Sequence, residues 1–184
     1  KKKNGFLNIQ IAGGNYSELR DLIFKTCDKT KEKFIYIRGE FVSNDLEKDF
    51  KNIIAVKEAG NNVAQYLKLL KNKPDDFLVI SGDDDLALGV VLAGGAGVIS
   101  VIGQAFPKEF SDMIRLGLNG ETKRAYAIHY KMMDVIGYIF EENNPAGIKA
   151  VFEVLDLCRD TVRLPLVPAS NHLKDKIRKF AANF

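Results

Sequence analysis

The chain has 184 residues, 46% of them hydrophobic and 28% charged, a balance that suits one globular domain with a small appendage. Twenty-seven basic against 24 acidic side chains leave a net charge of +3, too even to argue for a nucleic-acid surface. No apolar run reaches the ~20 residues of a membrane span, and Lys1-Lys2-Lys3 runs into Asn4-Gly5 rather than an apolar segment, so neither a span nor a secretory leader is expected.

Strand and helix patterns then alternate. Leu7, Ile9 and Ile11 alternate with Asn8 and Gln10, a period of two that reads as a first strand. Gly13-Gly14 ends it, and Leu19, Leu22 and Ile23 give the apolar face of a helix. Lys33 to Ile37 is a second strand, stopped by Arg38-Gly39, and Asp45 to Lys51 a short helix. Three denser strands follow at Ile53 to Val56, Phe77 to Ile80 and Gly97 to Val101. Their near-continuous apolar character suits strands buried on both faces of a parallel sheet. Helix patterns lie between them at Asn61 to Leu70 and Asp84 to Leu92, and Lys108 to Leu118 follows Pro107. After Gly120 the strands stop: Glu121 to Phe140, Ala146 to Leu155 and Asn171 to Phe180 read as helices, with Pro165 and Pro168 in an extended connector. Residues 1–120 are therefore expected as an α/β domain and 121–184 as a helical C-terminal subdomain.

In parallel α/β sheets and barrels, chemistry gathers at the carboxyl ends of the strands. Lys57 stands at such an end, directly after Ile53-Ile54-Ala55-Val56. A lysine aimed into a dry sheet mouth is desolvated, which favours the neutral, nucleophilic amine. The commoner case is a strand-end lysine that snorkels to water or pairs with Glu58. Asp83, Asp84 and Asp85 could be a cation site, but a helix N-cap explains them more simply. Gly94, Gly95 and Gly97 precede a strand, so a helix C-cap is expected there, not a phosphate cradle. His129 and His172 stand alone, and Cys27 and Cys158 share no metal-ligand spacing. No metal and no cofactor is expected, and a reduced, cytoplasmic protein is the default.

From about Asp49 onward the chain resembles the C-terminal half of dihydrodipicolinate synthase, a pyruvate-dependent Schiff-base aldolase family that includes N-acetylneuraminate lyase. The resemblance rests on Ile53-Ile54-Ala55-Val56-Lys57-Glu58-Ala59-Gly60, Ile80-Ser81-Gly82-Asp83-Asp84 and Gly94-Gly95-Ala96-Gly97-Val98-Ile99-Ser100-Val101. It continues through Asn144-Pro145-Ala146-Gly147-Ile148-Lys149 and Arg163-Leu164-Pro165-Leu166. It implies that Lys57 forms an imine with pyruvate, that Gly82 and Ile99 line the pyruvate pocket, and that the last three strands close a (βα)8 barrel. The family's Gly-Thr-Thr-Gly-Glu loop is not seen, and Ile35-Tyr36-Ile37-Arg38-Gly39-Glu40 stands where its catalytic tyrosine and substrate-binding arginine would be. The spacing of Tyr36 and Arg38 does not match, so neither role is carried over to them.

Residues 1–48 resemble uroporphyrinogen-III synthase instead, through Lys3-Asn4-Gly5-Phe6, Ala12-Gly13-Gly14-Asn15 and Phe34-Ile35-Tyr36-Ile37-Arg38-Gly39-Glu40. With no methionine before Met113, two parentages imply an engineered chimera joined near residues 48–50. The expected fold is a five-stranded parallel sheet of order 2-1-3-4-5, a flavodoxin-like three-layer sandwich with the helical extension. An open half (βα)8 barrel is the alternative, which a homodimer would close. The expected function is a catalytically incomplete chimera that keeps Lys57 and at most pyruvate as a residual ligand, with no nucleic acid or membrane as partner. The alternative is a working pyruvate-dependent Schiff-base lyase.

Overall fold

A computed structural model describes the backbone of residues 34–38 and the whole of residues 53–184. The first predicted strand, its Gly13-Gly14 turn, the helix after it and the short helix at 45–51 lie outside the described residues, as does Cys27. The chain divides into two compact units between Ile99 and Ser100. Among the described residues no helix is long and apolar enough to cross a membrane.

The first unit is a parallel sheet with its connecting helices. The described strands are β1 (Phe34–Arg38), β2 (Ile53–Glu58), β3 (Leu78–Ser81) and β4 (Gly97–Val98). Helix α1 (Val63–Asn72) joins β2 to β3, and α2 (Ala87–Leu92) joins β3 to β4. Asn62 caps α1 by accepting the Gln65 N–H at 3.2 Å. Helix α2 stops in a Schellman turn: the Gly95 N–H donates to the Val90 carbonyl and the Gly94 N–H to Val91. Gly94 there has φ +104°, a conformation that penalises any side chain. The glycines before the fifth predicted strand thus serve as a C-cap, as the sequence indicates.

The order of the described strands is β1-β2-β3-β4, each pairing in parallel with the next. This corrects the flavodoxin-like reading. Order 2-1-3-4-5 keeps the second predicted strand away from the third, yet here Ile35 pairs with Ala55 and Tyr36 with Val56. The helices give the physical reason. Val56 and Val79 stand in register and therefore on one face, and Tyr66, Leu69 and Leu70 of α1 and Val90 of α2 pack in one core with them. Both described helices cover the same face, whereas a three-layer sandwich needs helices on both. Sequential order with one-sided helices is the winding of a βα barrel, the alternative stated above. The fifth predicted strand is also shorter than expected, ending at Val98.

The second unit is helical: α3 (Pro107–Leu118), α4 (Thr122–Glu141), α5 (Ala146–Val154) and α6 (Asn171–Ala181). Pro107 occupies the first turn of α3. Along α4 the buried positions Ala125, His129, Met132, Val135, Ile136 and Ile139 fall on one stripe. Opposite charges bind the later elements, since Lys174 Nζ on α6 lies 2.6 Å from Asp160 Oδ2 and 2.8 Å from Glu153 Oε2. The lysine holds the Asp160 carboxyl below its ordinary value. A carboxyl whose folded value is depressed stabilises the fold above its unfolded value near 3.8 and loses that contribution as pH falls through the folded one. Asp160→Asn is therefore expected to lower the melting temperature by a few degrees at pH 7, and by less at pH 3, below the unfolded value. Parallel thermal melts at the two pH values check this, and an equal drop at both would refute it.

Candidate functional site

Three neighbouring strands of the first unit end side by side. Lys57 stands in register with Ile80, and Ile80 with Gly97. One residue later, Glu58, Ser81 and Val98 form the adjoining row. Alternation puts Val56 and Glu58 on the helix-covered face and Lys57 on the opposite one. Lys57 thus leaves the sheet where no described helix packs, at the carboxyl end of its strand.

Gly82 follows β3 directly and lies against that lysine. A Cβ built at Gly82 would stand 2.6 Å from Lys57 Cε, 2.8 Å from Ala59 Cβ and 3.1 Å from Ala59 Cα. Only a glycine leaves room for the lysine stem to pass over the chain here. The Gly82 N–H donates to the Glu58 carbonyl at 2.6 Å, which extends the β2–β3 ladder by one step. Ile99 does the same on the other side: its N–H donates to the Ser81 carbonyl at 2.8 Å, and its side chain is 45% exposed. The structure therefore brings Lys57 and Gly82 into contact, with Ile99 one strand further along the same rim.

Behind this row, on the helix side, lies a polar group of residues that the motif reading left without a role. Glu58 is fully buried, and its carboxylate accepts the Gly60 N–H at 2.9 Å and Gln65 Nε2 at 2.7 Å. Buried carboxylates require such partners. Tyr66 is also buried and donates its hydroxyl to the Glu58 carbonyl, with Ser81 Oγ 3.5 Å away. Burial pushes its phenol above the ordinary tyrosine value. One signal for this group was present in the sequence: Gln65 and Tyr66 follow Glu58 by one turn and the first turn of α1.

The other sequence candidates separate. Asp83 Oδ1 accepts the N–H groups of Asp85 at 2.9 Å and Leu86 at 3.1 Å, which caps the chain leading into α2. Among the described residues no group of three or more His, Cys, Asp or Glu could hold a metal ion. His129 is buried on α4 against the rings of Tyr126 and Tyr130, and Cys158 is an exposed free thiol. Arg38 ends β1 in register with Glu58.

Comparison with known proteins gives a consistent picture. The model of the family described as "Dihydrodipicolinate synthetase family" matches residues 40–183. The 4-hydroxy-tetrahydrodipicolinate synthase of Flavobacterium psychrophilum is 53% identical over 135 residues, which are 73% of this chain and 46% of that protein. The crystal structure of dihydrodipicolinate synthase from Aquifex aeolicus superposes with a TM-score of 0.86 at 29% identity, covering 92% of this chain and 61% of that one. A dihydrodipicolinate synthase of Acinetobacter baumannii, chloride-inhibited and complexed with pyruvate, shares the fold at 22% identity, with a TM-score of 0.84 over 92% of this chain and 61% of that one. The chain spans about half the length of the curated relatives it matches. The family match begins ahead of the junction expected near residues 48–50, and a match over 92% of the chain is more than residues 49–184 supply. One family thus accounts for sequence assigned above to a second parent, and the chimera reading with its uroporphyrinogen-III-synthase segment is withdrawn.

Proposed function

The chain belongs to the dihydrodipicolinate synthetase family, and from that premise we propose that it is the lysine-bearing part of a pyruvate-dependent Schiff-base lyase. The observation that carries the reading is the seat of Lys57. Its amine leaves the strand on the face free of described helices, and its stem runs over Gly82, where any Cβ would collide with it. In this reading the neutral Nζ attacks C2 of pyruvate, and a C–N bond forms as the carbonyl π pair moves to oxygen. Proton transfer gives a carbinolamine, and loss of water from it leaves the imine. The protonated imine nitrogen then withdraws electrons from the neighbouring methyl group, which is how such a lysine prepares pyruvate for bond formation to an aldehyde. Ile99 supplies an apolar wall beside the methyl end, and Gly82 keeps the floor flat.

The test is intact mass and peptide mapping after incubation with pyruvate and borohydride, which reduces an imine to a stable amine. One adduct per chain, on Lys57, is expected. No adduct, or modification scattered over surface lysines, would overturn the reading. Gly82→Ala probes the floor. Its methyl meets the Ala59 main chain as well as the movable lysine stem, so trapping is expected to slow roughly 10- to 100-fold, as displacements near 1 Å do. Trapping at the wild-type rate would separate Gly82 from the site. A homodimer belongs to the same proposal, motivated by Leu164 and Val167, which are 89% and 68% exposed. Sedimentation velocity reads it directly.

A further inference from the structure

Gly82 positions Lys57, and Gly82 is itself held from behind. Its N–H donates to the Glu58 carbonyl at 2.6 Å. That same carbonyl accepts the hydroxyl of Tyr66. On the other side of Gly82, Ser81 Oγ donates to the Asp83 carbonyl at 2.9 Å and accepts the Asp83 N–H at 3.2 Å. Tyr66 Oη lies 3.5 Å from that Oγ, so one phenol stands between the two anchors of the glycine. The Glu58 carboxylate completes the frame by holding Gly60 and Gln65, which fixes the turn from β2 into the helix that carries Tyr66.

We propose that Tyr66 is a positioning residue for the Lys57 amine: its hydroxyl, through the Glu58 carbonyl and the Ser81–Gly82 turn, sets how close the Gly82 backbone lies to the lysine stem. The inference rests on the Schiff-base reading of Lys57. Tyr66 is on the helix face of the sheet and Lys57 on the opposite face, so the phenol acts through the strand ends and not by touching substrate. A tyrosine kept only to fill the core would need no hydroxyl at this place. Its ring already packs in the cluster with Val56 and Val79, and phenylalanine would fill that space as well. The hydroxyl is instead shared between main-chain and side-chain groups that all bear on Gly82. Because burial holds the phenol protonated, it remains a donor throughout the range in which the lysine would work.

The experiment is a double-mutant cycle on the rate of pyruvate trapping by borohydride, with Tyr66→Phe, Gly82→Ala and the combined variant in the full chain. Tyr66→Phe is expected to slow trapping on Lys57 roughly 10- to 100-fold. On the Gly82→Ala background it is expected to slow trapping by less than about twofold, because coupled residues do not add. A core role would lower the melting temperature equally in both backgrounds and leave the two rate effects multiplicative. Wild-type trapping with an unchanged rate in Tyr66→Phe, or multiplicative effects, would overturn the positioning role while leaving the Lys57 reading intact. A wild-type chain that traps no pyruvate would overturn both. If Tyr66→Phe does not fold, Ser81→Ala removes the second anchor. It is expected to slow trapping at least about threefold, and an unchanged rate there would overturn the proposal equally.

Discussion

Incubated with pyruvate and borohydride, a Lys57→Ala chain is expected to show no mass increment under conditions that label the wild-type chain fully. The effect is large because the reaction needs one specific amine, and the lysines of α1 do not reach it. Lys68 and Lys71 on α1 belong to a helix that packs on the opposite face of the sheet. Lys57→Arg is the companion variant. It keeps the charge and most of the stem, but a guanidinium is not a nucleophile at this pH. Both variants are expected to melt within a few degrees of the wild type, which separates loss of chemistry from loss of fold. Retention of the adduct in Lys57→Ala would place the reactive amine elsewhere.

Gly147→Ala is expected to destabilise the helical unit by about 3 kcal/mol, near the upper end of overpacking costs. Gly147 lies in the first turn of α5, where the chain returns against the end of α4. A Cβ there would stand 2.1 Å from the Ile139 carbonyl oxygen and 2.6 Å from both its carbon and its Cα. These are main-chain atoms near the end of a twenty-residue helix, so no rotamer change relieves the contact and the two helices must move apart. At the usual conversion for a chain of this size, the melting temperature should fall by roughly 10 °C. Gly137→Ala is the control. It also adds one methyl, on α4 itself, but meets nothing within 4 Å. It should be neutral or stabilise by up to about 1 kcal/mol through helix propensity. Equal melting temperatures for the two variants would show that the close approach at Gly147 does not exist in solution.

Much of this arrangement could be read in the sequence, and the parts that could not have a common cause. Period and cap signals are local, so α1, α3, α4, α5 and α6 fall within two residues of their expected limits, and Pro107 marks a helix start. Lys57 stands out as a lysine at the end of an apolar strand, whereas Gly82 and Ile99 follow only from the resemblance to the family. Strand order was not legible. Whether the chain after β1 passes to the neighbouring position or skips one depends on which face its connecting helix covers, and an apolar strand such as Ile53 to Val56 suits either face. The Glu58–Gln65–Tyr66 group stayed hidden for a related reason. Its polar contacts join a strand, a turn and a helix to the next strand, while a glutamate at a strand end and a glutamine and tyrosine on an amphipathic helix read singly as ordinary solvated or half-buried residues.

The pairing of each described strand with the next in sequence also bears on how the sheet is assembled. Phe34 meets Ile53, Ala55 meets Leu78 and Ile80 meets Gly97, so each closure spans a loop on the order of twenty residues. Among the described strands each finds its template already formed by the one before it, and none is inserted between two earlier ones. Assembly of this kind has a lower contact order than one with a skipped position, and it can advance with the chain as it is synthesised. A skipped position, as in a doubly wound sheet, would leave a gap to be filled later by a distant part of the chain. Here the lysine strand acquires both neighbours from the segments immediately flanking it.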